Sequence, residues 1–138
     1  MNSIFLDAGF AIAAGLKRDQ RHNQVASMWP LLLQSGTLIV TTNFVLDEIV
    51  TFLNSKGLHS NAVRIGKILL ESENVELIHV SEDILRQGWN YFVRHEDKRF
   101  SLTDCISFVV MQSRGLQQAL TFDQHFAQAG FECLPMLA

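Results

Sequence analysis

A chain of 138 residues, 48% of them apolar, fits one domain (residues 1–138) of ordinary size with enough material for a sizeable core. The net charge of −3 lacks the basic surplus that commonly marks nucleic-acid binding, although acids gathered around cations would lower the formal charge while the filled site still attracts phosphate. No apolar stretch is long enough for a membrane span, the N-terminus lacks the pattern of a signal peptide, and Cys105 and Cys133 form no CxxC pair, so we expect a cytoplasmic protein with reduced cysteines packed as small apolar residues, without a disulfide framework or structural zinc.

Ser3–Leu6 is a short apolar run that reads as a first strand and ends at Asp7. Ala8–Leu16 suits a helix and is followed by the polar turn Lys17–Arg21. His22–Gln34 carries Val25, Met28, Trp29, Leu32 and Leu33 at helical spacing, with Gly36 as its stop. Thr37–Thr41 has strand character. Asn43–Lys56 reads as an amphipathic helix with Thr42 or Asn43 as its cap and Gly57 beyond its end. His59–Glu71 is a further helix and Val75–Val80 a third strand. Ser81–His95 is a helix opened by the acidic turn Ser81-Glu82-Asp83. Ser101–Arg114 is a helix closed by Gly115, Gln118–Phe122 a fourth strand, Asp123–Ala129 a short helix and Phe131–Leu134 a final strand. Strands alternating with helices imply an α/β fold in three layers, with a central parallel sheet covered on both faces. Ligands of such sheets bind beyond the carboxyl ends of the strands, where Asp7 and Asp123 both fall.

Two helices add acids to this end. On a helical wheel Phe44 and Phe52 flank Glu48, which places it inside the apolar arc near its edge, while Asp47 points away. Phe108 and Met111 flank Asp104 in the same manner. A carboxylate at the margin of a buried face is costly unless a cation or basic group compensates it. Four carboxylates that converge would suit Mg²⁺ or Mn²⁺. Each acid also has a plainer explanation. Asp7 and Asp123 read singly as caps of the helices that follow, Ser101-x-x-Asp104 matches a capping box, and Glu48 could pair with a base inside the fold. It is the combination that points to a shared site.

Other patterns are weaker. His22, His59, His79, His95 and His125 show no HxxxH or HxH spacing and read as surface or strand residues without a ligand role. Arg94, His95, Lys98 and Arg99 before Ser101, and Lys17, Arg18 and Arg21 after the first helix, read either as solvated turns or as patches that steer phosphate. There is no GxGxxG and no Walker sequence. A phosphatase of the haloacid dehalogenase type would need an aspartate where Gly9 stands.

The segments around the four acids resemble the PIN-domain nucleases, in particular the toxin ribonucleases (VapC-like) of bacterial type II toxin–antitoxin pairs. Ile4-Phe5-Leu6-Asp7 is similar to the family's first motif, and Thr41-Thr42-Asn43-Phe44-Val45-Leu46-Asp47-Glu48 to the second. Ser101-Leu102-Thr103-Asp104-Cys105-Ile106-Ser107-Phe108 is the most specific match, and Leu120-Thr121-Phe122-Asp123-Gln124-His125-Phe126 resembles the last. One departure is that Ala8 and Gly9 follow the first aspartate, where many members have a hydroxyl or amide. The resemblance implies a PIN-like fold and a Mg²⁺- or Mn²⁺-dependent endoribonuclease that cuts single-stranded or looped RNA by in-line attack of water. It implies Asp7, Glu48, Asp104 and Asp123 as catalytic, metal-holding acids, with Thr121 and Ser101 in support. It also implies a homodimer and a small cognate antitoxin as partners, and no membrane. The alternatives are an RNA-processing nuclease of the same fold without a toxin role, or a silent RNA- or protein-binding module.

Overall fold

The strand at the start of the chain becomes the centre of the sheet. In the computed structural model, which describes residues 2–136, β1 (Ser3–Leu6) pairs in parallel with β2 (Leu38–Thr42) on one side and β4 (Gln118–Leu120) on the other. Phe5 aligns with Val40 and with Ala119, so both edges of β1 are satisfied. β3 (Val75–Ile78) extends the sheet beyond β2, and β5 (Glu132–Leu134) extends it beyond β4, giving the all-parallel order β3-β2-β1-β4-β5. Parallel neighbours require crossover connections, which helices supply. The connections run outward from β1 in opposite directions, so the sheet's switch point lies between β1 and β4. This is the three-layer α/β arrangement expected from the alternation of patterns.

α1 (Ala8–Gly15), α4 (Asn43–Ser55) and α5 (His59–Glu71) pack against one another, and α6 (Glu82–Arg94) packs on α7 (Leu102–Arg114), which also touches α8 (His125–Gln128). The core joins Phe5, Leu6 and Phe10 near the N-terminus to Ile39, Ile49, Phe108, Leu120 and Phe126, all fully buried. Burying each such side chain contributes about 1.5–3 kcal/mol. α7 is buried along most of its length because it lies in the interior, whereas α4 buries only the stripe Val45, Ile49 and Leu53. Gly88 lets α6 approach α7 closely: a Cβ there would stand 2.7 Å from Ile106 Cγ1 and 3.2 Å from its Cα. Gly115 ends α7 at φ 67°, a left-handed turn that suits glycine. Both cysteines are buried and unpaired, as their spacing suggested.

Several boundaries differ from the sequence reading. The segment His22–Gln34 is two helices, α2 (His22–Val25) and α3 (Met28–Gln34), not one. Pro30 has no N–H to give to the carbonyl of Ala26, and its ring crowds that carbonyl, so one continuous helix is excluded. The third strand stops at Ile78, and the N–H of Val80 is instead taken by Asn43 Oδ1 at 2.9 Å. The fourth strand ends at Leu120, two residues early, although the Thr121 N–H still bonds to the Leu134 carbonyl at 3.0 Å, and the last helix is confined to His125–Gln128. No helix among the described residues is long and apolar enough to cross a membrane.

Candidate functional site

The ends of β1 and β4 meet at the switch point, and each hands the chain to an acid. Asp7 follows β1 directly and holds the N-cap position of α1, yet its side chain makes no capping bond. Its Oδ2 accepts a hydrogen bond of 2.8 Å from the buried Thr121 hydroxyl just beyond β4. Thr121 Oγ1 in turn accepts the N–H of Asp123 at 2.9 Å, so one hydroxyl ties the two strand ends together. Thr41 makes a related link on the other side of β1, donating from Oγ1 to the Leu6 carbonyl at 2.8 Å. Asp7 is 8% exposed, and burial, opposed by the Thr121 hydrogen bond and reinforced by the charges of Asp104 and Glu48, raises its pKa from 3.8 to about 7.

Asp104 reaches the same place from the first turn of α7. The capping box is formed: Ser101 Oγ accepts the Asp104 N–H at 2.9 Å and Asp104 Oδ2 accepts the Ser101 N–H at 3.1 Å. The two explanations offered for this residue are therefore compatible, because the cap is what aims the carboxylate at the sheet. Burial raises the Asp104 pKa, the Ser101 amide opposes this, and the nearby Asp123 raises it further. Asp123 Oδ1 accepts the N–H of His125 at 2.9 Å, which turns the chain into α8. That is a local capping role, held alongside its place among the acids.

Glu48 departs from expectation. It is exposed, because the stripe α4 buries is narrower than the wheel implied and passes through Val45, Ile49 and Leu53. Phe44, Glu48 and Phe52 form the adjacent stripe, which lines an open groove together with Ser101 and Thr103. The Glu48 carboxyl still senses the others: partial desolvation and the charges of Asp104, Asp123 and Asp47 raise its pKa. The structure thus gathers the acids at one end of the sheet, where Asp7 senses Asp104 and Glu48, and both Glu48 and Asp104 sense Asp123.

His125 was expected to lie apart from any site and does not. Its Nδ1 stands 3.1 Å from Asp123 Oδ1 and 3.4 Å from Asp104 Oδ2, yet it is buried and in hydrogen-bond geometry with neither. One donor atom from each of Asp104, Asp123 and His125 falls within 4.8 Å of the other two, a tight group that leaves out Asp7 and Glu48. The signal in the sequence was the short spacing Asp123-x-His125 at a strand end, which alone is too common to notice. Mutual repulsion, desolvation and an orphaned nitrogen at the centre of such a donor set fit a divalent cation, which would relieve all three.

Of the two basic segments, the first lies near the acids. The Arg21 guanidinium sits over the Phe122 ring at 4.5 Å, and that ring also stacks on Phe10. Among the described residues Arg21 has no carboxylate partner for its side chain. In the second segment Lys98 pairs with Asp97 at 3.7 Å and His95 stacks on Tyr91 at 4.1 Å.

Residues 4–132 match the profile of the PIN domain. The 23S rRNA-specific endonuclease VapC20 of Mycobacterium tuberculosis is 38% identical over 128 residues, which are 93% of this chain and 95% of that protein. The crystal structure of Mycobacterium tuberculosis VapC20, described as a Sarcin-Ricin loop cleaving toxin, superposes with a TM-score of 0.84 at 37% identity over 93% of this chain and 95% of that one. VapBC2 from Rickettsia felis, solved bound to a DNA fragment from its promoter, shares the fold at a TM-score of 0.68 and 14% identity, covering 95% of this chain and 96% of that one.

Proposed function

This chain belongs to the PIN-domain family, and from that premise we propose that it is a metal-dependent endoribonuclease acting as the toxin of a toxin–antitoxin pair. Asp7, Glu48, Asp104 and Asp123 are its catalytic acids and hold Mg²⁺ or Mn²⁺, with Thr121 and Ser101 in support. The observation that carries this reading is the electrostatic coupling of Asp7, Glu48 and Asp104, three acids from separate elements whose carboxyls are each pushed upward at one end of the sheet. Carboxyls perturbed by burial and by one another cluster at functional sites, where a bound ligand compensates them. The likeness to VapC20, a 23S rRNA-specific endonuclease, supports a structured loop of ribosomal RNA as the substrate class and the cytoplasm as the place of action.

When bound, a divalent cation neutralises phosphodiester charge and makes hydroxide available near neutral pH. The protein's own groups do the positioning. Thr121 holds Asp7 in one rotamer, and the Ser101 box holds Asp104 in another. The groove of Phe44, Glu48, Phe52, Ser101 and Thr103 gives an extended strand a path past the acids. Arg21, stacked on Phe122 next to Asp123, grips a phosphate flanking the scissile one, since a guanidinium on an aromatic face keeps its donors free for an anion.

A small inhibitory antitoxin is the proposed partner. The apolar groove between α4 and α5, walled by Leu46, Val50, Ala62, Val63 and Leu70, suits an amphipathic helix. The exposed apolar residues Leu85, Trp89, Phe92 and Val93 of α6 support self-association as a homodimer. The test of the catalytic reading is cleavage of a sarcin–ricin-type RNA hairpin by purified protein. We expect cleavage with Mn²⁺ or Mg²⁺, none with EDTA, and none by folded Asp7→Asn or Asp104→Asn. Undiminished cleavage by both variants refutes the site. Harmless expression of the active protein, with no neighbouring gene product that binds it, would favour a processing nuclease over a toxin.

A further inference from the structure

We propose that His125 is a direct nitrogen ligand of the cation, and that through it the site prefers Mn²⁺ over Mg²⁺. This rests on the cation site described above and deepens it. Ligands about 2.1 Å from an octahedral cation and at right angles to each other stand about 3 Å apart. His125 Nδ1 lies 3.1 Å from Asp123 Oδ1 and 3.4 Å from Asp104 Oδ2, close to that separation. A histidine that only hydrogen-bonded these carboxylates would point an N–H along the line to one of them. Nδ1 does not: it is buried and without a hydrogen-bond partner. A buried ring nitrogen left unsatisfied is costly, and a cation shared with the two neighbouring oxygens removes the cost.

The ring is held for this role. Asp123 Oδ1 accepts the backbone N–H of His125 at 2.9 Å, which fixes the turn that carries the imidazole. Phe100 packs edge-on against the imidazole, with centroids 5.6 Å apart. The side chain keeps 26% of its surface open while Nδ1 is covered, so the covered edge faces the acids. The chemistry of the donor then sets the ion. Mg²⁺ is a hard ion that takes oxygen and keeps its waters, whereas Mn²⁺, which also suits carboxylates and water, accepts an imidazole more readily than Mg²⁺ because it is a transition ion.

The test uses Mn²⁺ itself as the probe, with purified protein and no RNA. Free Mn²⁺ is titrated by room-temperature electron paramagnetic resonance, and the bound ion is then examined for ¹⁴N modulation by electron spin-echo spectroscopy. We expect one nitrogen coupling in the wild type, its loss in His125→Phe, which keeps a ring against Phe100, and a fall in Mn²⁺ affinity of at least about tenfold. Affinity for Mg²⁺, read by competition, should fall less. His125→Gln serves as a second variant, and the wild-type spectrum is decisive without either. Mn²⁺ that binds and is released by Asp104→Asn, yet shows no nitrogen coupling, overturns the role of His125 and leaves the cation site standing. Coupling that persists in both His125 variants also overturns it. No Mn²⁺ binding by the wild type overturns the cation site and this inference together.

Discussion

Replacing Asp7 by Asn should reverse its effect on stability between acid and alkaline pH. The carboxyl is 8% exposed and its pKa stands at about 7 against an ordinary 3.8. At about 1.4 kcal/mol per pH unit, that gap corresponds to about 4 kcal/mol by which the folded state disfavours the ionised form. The sign follows from proton binding. Below about pH 4 both states hold the proton and nothing is lost. Between about pH 4 and 7 the unfolded chain has released it while the folded protein keeps it, so stability falls as pH rises. Above about pH 7 the full cost applies. Asn carries no charge at any pH and still offers Thr121 an acceptor, but its NH₂ enters a buried place without an assured partner, at a cost of about 1–3 kcal/mol. The variant should therefore be less stable than the wild type by about that amount near pH 4. Near pH 8 it should be more stable by about 1–3 kcal/mol, the remainder of about 4 kcal/mol after the same cost. Urea denaturation in EDTA across this range measures the difference directly. Adding Mn²⁺ at about a hundred times its dissociation constant should close or reverse the gap at pH 8, because the wild type gains about 2.7 kcal/mol and the variant little. A stability difference that does not change with pH would show that Asp7 is not a buried, strained carboxylate, and the reasoning would fail.

Thr121→Val removes the hydroxyl that positions Asp7 and accepts the Asp123 N–H; we expect metal affinity and RNA cleavage to fall by about 10–100-fold while circular dichroism stays unchanged, as measured by Mn²⁺ titration and hairpin cleavage. Arg21→Ala should weaken RNA binding across sequences and lower the slope of log affinity against log salt by about one, which a salt series of binding measurements will show, with Mn²⁺ affinity unaffected. Gly88→Ala forces a methyl against the backbone of Ile106, and we expect a loss of about 1–3 kcal/mol in denaturant unfolding without any change in the metal titration.

Much of this was legible along the chain because it is local. The alternation of strand and helix patterns and the acids that close the first and fourth strands all depend on residues within a few positions of each other. So does the Ser101-x-x-Asp104 box, and the structure keeps the alternation, Asp7 directly after the first strand and the box, while Asp123 lies three residues past the end of the fourth strand. Even the break between α2 and α3 was within reach, since Pro30 forbids the helix that periodicity alone extended. The exposure of Glu48 was not legible. A helical wheel ranks faces by hydrophobicity, but which stripe is covered depends on where α1 and α5 lie against α4. The link from Thr121 to Asp7 spans 114 positions, and the stack of Arg21 on Phe122 joins two distant turns. His125 is the plainest case. As a lone histidine it has no periodicity to betray it. Only the parallel pairing of β4 beside β1, with α7 packed across from α8, brings its nitrogen to two carboxylates, because a site at a switch point is made where strands distant in sequence end side by side.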